Sequence, residues 1–366
     1  MIDRLARLAR TTPVRTTRRW TRRLLALSIP LLTVTPLLAQ DAPSLPPVTI
    51  GAGVRTSFVQ DMPQGGSSTD DFLLNSVRLY VNGAATSKIK FTFNTEYDGN
   101  NHINVLDAVA QFALSDQFNI WVGRMIPPSD RADLYGPYYA HDWASYTDGV
   151  QDGYSSVATG RDNGAMYWGQ FGIVKVSAGA FDGPSATGNK DVIGAGRVTI
   201  DFWDPEPGYY LNGTFYGDKN ILAIGAAGQV QNGQTAANVD FLLEKKIPGG
   251  SAFSVEAEYA NYNQPLGGWN GRYGKDEGGF GLASYLFPPV MGMPGRLEIL
   301  GKFAKASFSN GLTLVDSDYD QKTTEVNFSY VINQFKARVT LFYLQKSFTT
   351  VETNDKQVGV GFQVQM

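Results

Sequence analysis

The last eleven residues, Lys356 to Met366, alternate without a break. Val358, Val360, Phe362, Val364 and Met366 share one parity, and Gln357, Gly359, Gly361, Gln363 and Gln365 share the other. Successive side chains of a strand point to opposite faces, so this stretch makes a strand with one apolar and one wet face. Its length matches the roughly 9–11 residues of a tilted strand crossing a bilayer. A sheet of such strands needs lipid on one side and water on the other. A barrel that pairs its last strand with its first supplies both.

The pattern recurs upstream in about sixteen strand-like segments between residues 48 and 366. In 87–97, Ile89, Phe91, Phe93 and Tyr97 oppose Lys88, Lys90, Asn94 and Glu96. In 251–262, Phe253, Val255, Ala257 and Tyr259 oppose Ser254, Glu256 and Glu258. In 335–348, Val339, Leu341 and Tyr343 oppose Lys336, Arg338 and Thr340. No window carries a helical stripe, and no apolar run after residue 40 approaches the ~18 residues of a membrane helix. A soluble sandwich also alternates, but two further signs favour the membrane. Connections of the long and short kind alternate along the chain, as in barrels with long outer loops and short periplasmic turns. Only 204–219 is long where a short turn belongs, which leaves room for an extra hairpin. Tyr97, Trp121, Trp168, Trp203, Tyr259, Tyr285, Phe287 and Tyr330 fall near segment ends, where amphipathic rings suit the membrane–water boundary. The predicted fold is all-β: a transmembrane, antiparallel, up-and-down β-barrel of about sixteen strands, with eighteen possible.

Residues 1–23 hold eight arginines against the single acid Asp3, and the apolar stretch Leu24–Leu38 then runs to Ala39-Gln40. That order is the n-region, h-region and small-residue cleavage site of a secretory signal. The expected organisation is a signal peptide (1–39), a flexible Pro-rich leader (40–47) and the barrel (48–366), exported to the outer membrane of a Gram-negative type of cell. Without residues 1–39 the chain carries a net charge of about −10, which argues against nucleic acid as a partner. The absence of cysteine excludes disulfides and thiolate chemistry, while 40 Gly, 18 Tyr and 21 Phe suit a barrel with many turns. His102 and His141 are the only histidines, too few for a histidine metal site, and no catalytic triad emerges around them. Neither a cofactor nor an enzymatic activity is expected.

The longest connection, Ile126 to Arg161, would be the third outer loop. A connection of this length is functional or disordered, and this one is too aromatic for disorder. Tyr135, Tyr138, Tyr139, Trp143, Tyr146 and Tyr154 need a surface to pack on, and the inside of a wide barrel offers one. The loop is therefore expected to fold inward and constrict the lumen through Asp130, Arg131, Asp133, Tyr138, Tyr139, Asp142, Trp143, Tyr146 and Asp148.

Val122-Gly123-Arg124-Met125-Ile126-Pro127-Pro128 at its opening and Gly160-Arg161-Asp162-Asn163-Gly164 at its close resemble the phosphate-selective porin O/P family. Gly208-Tyr209-Tyr210 and Ile221-Leu222-Ala223-Ile224-Gly225 fit as well. The resemblance spans about residues 50–366 and implies a sixteen-stranded, trimeric, diffusion-driven channel. It departs where the family's inward loop is basic. Here Asp130, Asp133, Asp142, Asp148 and Asp152 outnumber Arg131 and Arg161, and an acidic constriction repels a dianion.

Wet-face charges separate by sector. Arg55, Arg78, Lys88, Lys90, Lys336 and Arg338 form an expected basic wall. Asp240, Glu244, Glu256, Glu258, Glu298 and Glu325 form an acidic arc opposite. Opposed charges across a narrow aqueous gap would set up a transverse field, with the Asp-rich loop expected to face Arg78, Lys88 and Lys90. The function this points to is passive diffusion of small hydrophilic solutes or ions through a homotrimer in the lipid bilayer. A carbohydrate-specific porin using the aromatic third loop, and a non-channel extracytoplasmic β-rich binding protein, are the alternatives.

Overall fold

The computed structural model describes residues 47–97, 102–150, 160–183, 192–263, 273–311, 318–349 and 353–366. The expected signal peptide, and Asp152 and Tyr154 of the third loop, lie outside the described residues. The strands run in chain order as β1 (Val48–Met62), β2 (Thr69–Ala84), β3 (Ile89–Tyr97), β4 (Ile103–Ser115) and β5 (Phe118–Met125). The two-turn helical segment α1 (Arg131–Tyr139) follows. Next come β6 (Asp162–Phe171), β7 (Val174–Phe181), β8 (Ile193–Asp201), β9 (Ile221–Gln231) and β10 (Gln234–Ile247). The chain continues through β11 (Ser251–Asn263), β12 (Tyr273–Leu286), β13 (Arg296–Gly311), β14 (Tyr319–Asn333), β15 (Ala337–Phe348) and β16 (Thr353–Gln365).

Every strand pairs antiparallel with its chain neighbours, and β1 pairs with β16, so the sixteen strands close into one barrel. The closing register sets Val54 opposite Val364 and Phe58 opposite Val360. Closure leaves no strand edge unpaired, which is what a sheet in hydrocarbon requires. The outward row is apolar: Val358, Phe362 and Val364 are exposed on β16, as are Phe253 and Tyr259 on β11. The inward row is polar and buried, with Ser254, Glu256 and Glu258 on β11 and Asn327 and Glu325 on β14. Cross-strand register then places Arg78 beside Glu96, and Lys302 beside Glu325.

Two connections depart from the expected alternation. Asn232-Gly233 joins β9 to β10 with φ of 51° and 79°, the double positive φ of a type I′ turn, so this far-end connection is a tight hairpin rather than a loop. Residues 202–220, at the end of the barrel that carries both termini, form no further hairpin and the count stays at sixteen. Tyr209, Leu211, Phe215 and Tyr216 of this segment are buried. Rings that cannot be left in water turn back into the barrel. The aromatic boundary also needs correcting. Trp203, Tyr259 and Phe287 are exposed on the outside. Trp121 instead points inward, packing edge-on against Trp168 at 6.1 Å and Tyr209 at 5.2 Å.

Candidate functional site

The third loop folds into the lumen. Both of its roots need glycine. A Cβ on Gly123 (φ 133°) would lie 2.1 Å from the Ala108 carbonyl oxygen, and one on Gly160 (φ 66°) would lie 2.2 Å from Asp133 Oδ1. Asp130 caps α1 by accepting from the Asp133 N–H at 2.6 Å. Gly136 (φ 65°) and Pro137 break α1 into two turns. That break sets Tyr138 against Gly53 of β1 and Arg78 of β2, and Tyr139 against Phe335.

On its other side the loop is pinned to the acidic arc. Arg131, fully buried, donates to Glu206 at 2.8 and 2.6 Å and lies 3.4 Å from Asp240. Arg197 of β8 also grips Asp240, at 2.5 and 2.8 Å. Lys302 of β13 sits between Asp142 (2.7 Å) and Asp148 (2.6 Å). Glu325 accepts from the Trp143 and Ala144 N–H groups at 2.9 Å each, and His141 Nε2 lies 2.8 Å from Glu298. Burial alone would push the His141 imidazole down, but Glu298 more than offsets it and the pKa ends above the usual histidine value. Burial likewise works against the Asp142 carboxylate, and Lys302 brings its pKa below the ordinary range. For Asp130, burial and then Asp133 push the carboxyl well up. These are desolvated charges whose cost is offset only while each partner stays in place.

The opposite wall holds the loop through neutral carbonyls. Arg55 donates to the Trp143 carbonyl at 2.9 Å and stacks 4.3 Å over its ring. Arg338 donates to the His141 carbonyl at 3.1 Å, and Gln363 to that of Tyr138 at 2.9 Å. Two wet-face glycines are sockets for the loop's rings: a Cβ on Gly53 would meet Tyr138 at 2.6 Å, and one on Gly361 would meet Trp143 at 2.2 Å. Segment 202–220 braces the loop from the other end of the barrel. Leu211 N–H donates to the Leu134 carbonyl at 3.3 Å, Gly213 N–H to Tyr139 at 3.0 Å, and the Tyr209 hydroxyl to Ile126 at 3.0 Å. Glu244 anchors the segment by accepting from Thr214 and the Phe215 N–H at 2.8 and 2.7 Å.

Among the described residues, two cavities lie inside the barrel between the loop and the wall that runs from β15 and β16 through β1 to β5. One, about 280 Å³, opens toward the far end and is lined by Arg55, Ser57, Ser76, Glu96, Pro137 and Trp143 among others. The second, about 640 Å³, opens toward the end carrying the termini, with Tyr80, Asn82, Asn94, Trp121, Tyr139 and Tyr210 in its wall. Ser76, Glu96 and Pro137 border the first, and Tyr80, Asn94 and Tyr139 the second. Arg78 and Tyr138 therefore occupy the level between the cavities. Arg78 forms a bidentate pair with Glu96 at 3.0 and 3.2 Å and lies 5.0 Å over the Tyr138 ring, while the Tyr138 hydroxyl donates to the Ser76 carbonyl at 3.1 Å.

Several expectations change on this geometry. Arg55, Arg78 and Arg338 face the lumen and are buried. Lys88 and Lys336 are exposed in the turns after β2 and β14, and Lys90 is exposed six residues from the Arg78–Glu96 register, opposite Ala84. The three lysines thus belong to the mouth. Asp240, Glu244, Glu256, Glu258, Glu298 and Glu325 are all buried on the inward row, under the loop and segment 202–220, so they do not face an aqueous gap. The loop carboxylates Asp130, Asp133, Asp142 and Asp148 are buried as well. Asp142 and Asp148 turn to Lys302, not to Arg78, Lys88 and Lys90. Tyr146 also turns inward on its own loop, donating to the Ala132 carbonyl at 2.5 Å. The cavities meet Pro137, Tyr139 and Trp143 of the loop instead, with Tyr138 buried between them. Sequence reasoning puts Glu96 on the wet face without giving it a role in the site, and passes over Arg197, Lys302 and Glu206. The first three share the inward parity of their strands, so alternation alone could have nominated them; nothing in the sequence foretold the fold-back that brings Glu206 to Arg131.

A closed sixteen-stranded antiparallel barrel, with its third loop folded into the lumen, has the outer-membrane porin fold. It is similar to the outer membrane channel DcaP of Acinetobacter baumannii, at a TM-score of 0.57 and 13% identity over 87% of this chain and 97% of that one. It is also similar to an anion-selective porin from Comamonas acidovorans (0.52, 16% identity, 87% and 99%). OmpT of Vibrio cholerae in its trimer form is a further likeness (0.51, 11% identity, 87% and 99%). No family model and no curated relative matches the chain.

Proposed function

We propose that the chain is an outer-membrane diffusion channel for small hydrophilic solutes or ions, exported by its N-terminal segment and assembled as a homotrimer. The observation that carries the reading is the pair of cavities on either side of the Arg78–Tyr138 level, each bordered by the barrel wall and by the inward third loop. The likeness to a channel and to an anion-selective porin supports it. Kinship with the phosphate-selective porin O/P family rests on the short motifs at the loop roots. The charges nearest the narrow level are Arg55, Arg78 and Glu96, an excess of one cation, so the channel prefers anions weakly. In planar bilayers the protein should open stepwise conductances, and Arg78→Gln should move the reversal potential in a salt gradient toward cations. Lys88→Gln and Lys90→Gln, at the mouth, should shift it much less. An Arg78→Gln reversal potential equal to wild type removes Arg78 from the selectivity level, and a protein that opens no conductance ends the channel reading.

A further inference from the structure

The larger cavity has a chemistry that the smaller one lacks. Among the described residues, Lys336 is the one charged side chain in its lining. Its rings come from two sectors of the barrel: Trp121 lies 5.6 Å from Tyr210, and Tyr139 lies 5.3 Å from Phe335. Between them runs a row of neutral hydrogen-bonding groups on β2 to β4. Thr92 donates to Asn82 at 2.8 Å and Gln111 donates to Thr92 at 3.2 Å. Asn94 spends its amide N–H on Asp107 at 2.7 Å, and its buried Oδ1 has no hydrogen-bond partner. A buried amide oxygen left unmatched is costly unless something else meets it. The Asn82 and Gln111 amides also keep N–H groups beyond the bonds given.

Rings at the sides and uncharged donors and acceptors between them suit a solute that is apolar on its flat faces and hydroxylated at its edges. A single lysine gives an ion little to pair with, and a purely apolar solute would strand the amides. A space of about 640 Å³ falls within the range of small-molecule sites. We infer that the cavity on the terminal side of the Arg78–Tyr138 level is a binding site for a neutral mono- or disaccharide, held between Tyr139 and Trp121 and hydrogen-bonded by Asn82, Asn94 and Gln111. The inference rests on the channel reading and names the solute class that pauses in the passage. The sugar contacts fall on the barrel wall and on Tyr139 alone of the third loop, below the ionic level.

The test is single-channel recording with maltose as the probe. The wild type should show interruptions of the salt current that rise with maltose and saturate. Tyr139→Ala should weaken that block about tenfold, the loss of roughly 1.4 kcal/mol, and Tyr139→Phe, which keeps the ring, should restore it. Tyr139 is already more than a third exposed, and heat-modifiable gel migration checks that both variants fold. A channel that conducts salt while maltose lowers the current only in proportion to bulk conductivity overturns the sugar site and leaves the channel standing. A block untouched by Tyr139→Ala overturns this location for it. No conductance in the absence of sugar is the different result that ends the channel reading itself.

Discussion

The β1–β5 wall and the β10–β14 wall both turn charged side chains inward, and among the described residues the two lumen cavities lie beside the first. On β10–β14, Asp240, Glu298, Lys302 and Glu325 each meet a partner from the folded third loop, and all are nearly sealed from solvent. On β1 and β2, Arg55 and Arg78 reach the same loop through a carbonyl and a ring face, and a cavity is lined by Arg55 and by Glu96, the partner of Arg78. A charge matched by the loop fastens it. Where the wall offers the loop mostly neutral groups, the loop is held but the lumen is not filled. The same polar row can therefore close a barrel on one side and leave a passage on the other.

The sharpest way to break that contrast is to remove a matched charge. Lys302→Met leaves Asp142 and Asp148 facing each other in a buried site, and should cost about 3–5 kcal/mol. The temperature at which the heat-modifiable form unfolds should drop, and the open-channel current should become noisy as the loop loosens. Lys88→Met, at the mouth, should leave both unchanged. Next in size is a change on the passage side. Gly361→Ala drives a methyl into the Trp143 ring. An overpacked site of this kind costs about 1–3 kcal/mol, and the displaced ring should alter single-channel conductance more than it alters stability. The smallest effect is a pH dependence. His141 has its pKa raised above 6.5 beside Glu298, so its favourable pairing is fully present below that unfolded value and fades as pH rises through the elevated one. The stability difference between wild type and His141→Asn should accordingly be larger near pH 6 than near pH 9. A difference that is flat or reversed over that range would show that the pair does not hold the loop.

Much of this was legible in the chain itself. The alternation in 251–262 and 356–366 assigns each side chain to lipid or lumen before any coordinates, because a strand has only two faces. The aromatic content of 126–161 marks an inward loop for the same kind of reason, since so many rings cannot stay in water. Connection 204–219 leaves room for a hairpin on local pattern alone, and the structure forms none there. Its rings also demand burial, but local pattern cannot say whether a second strand pair or the inside of the barrel will receive them. Trp121 was placed at the membrane boundary because it lies near a strand end, although its parity with Asn119 already puts it on the wet face.

Periodicity thus determined the barrel, its strand number to within a hairpin and which residues face inward, since those follow from distances of two residues along the chain. Which charges are spent and which line a passage was decided by contacts between residues such as Asp142 and Lys302, or Arg131 and Glu206. These lie far apart in sequence, and they meet only once the barrel has closed and its loops have found a wall.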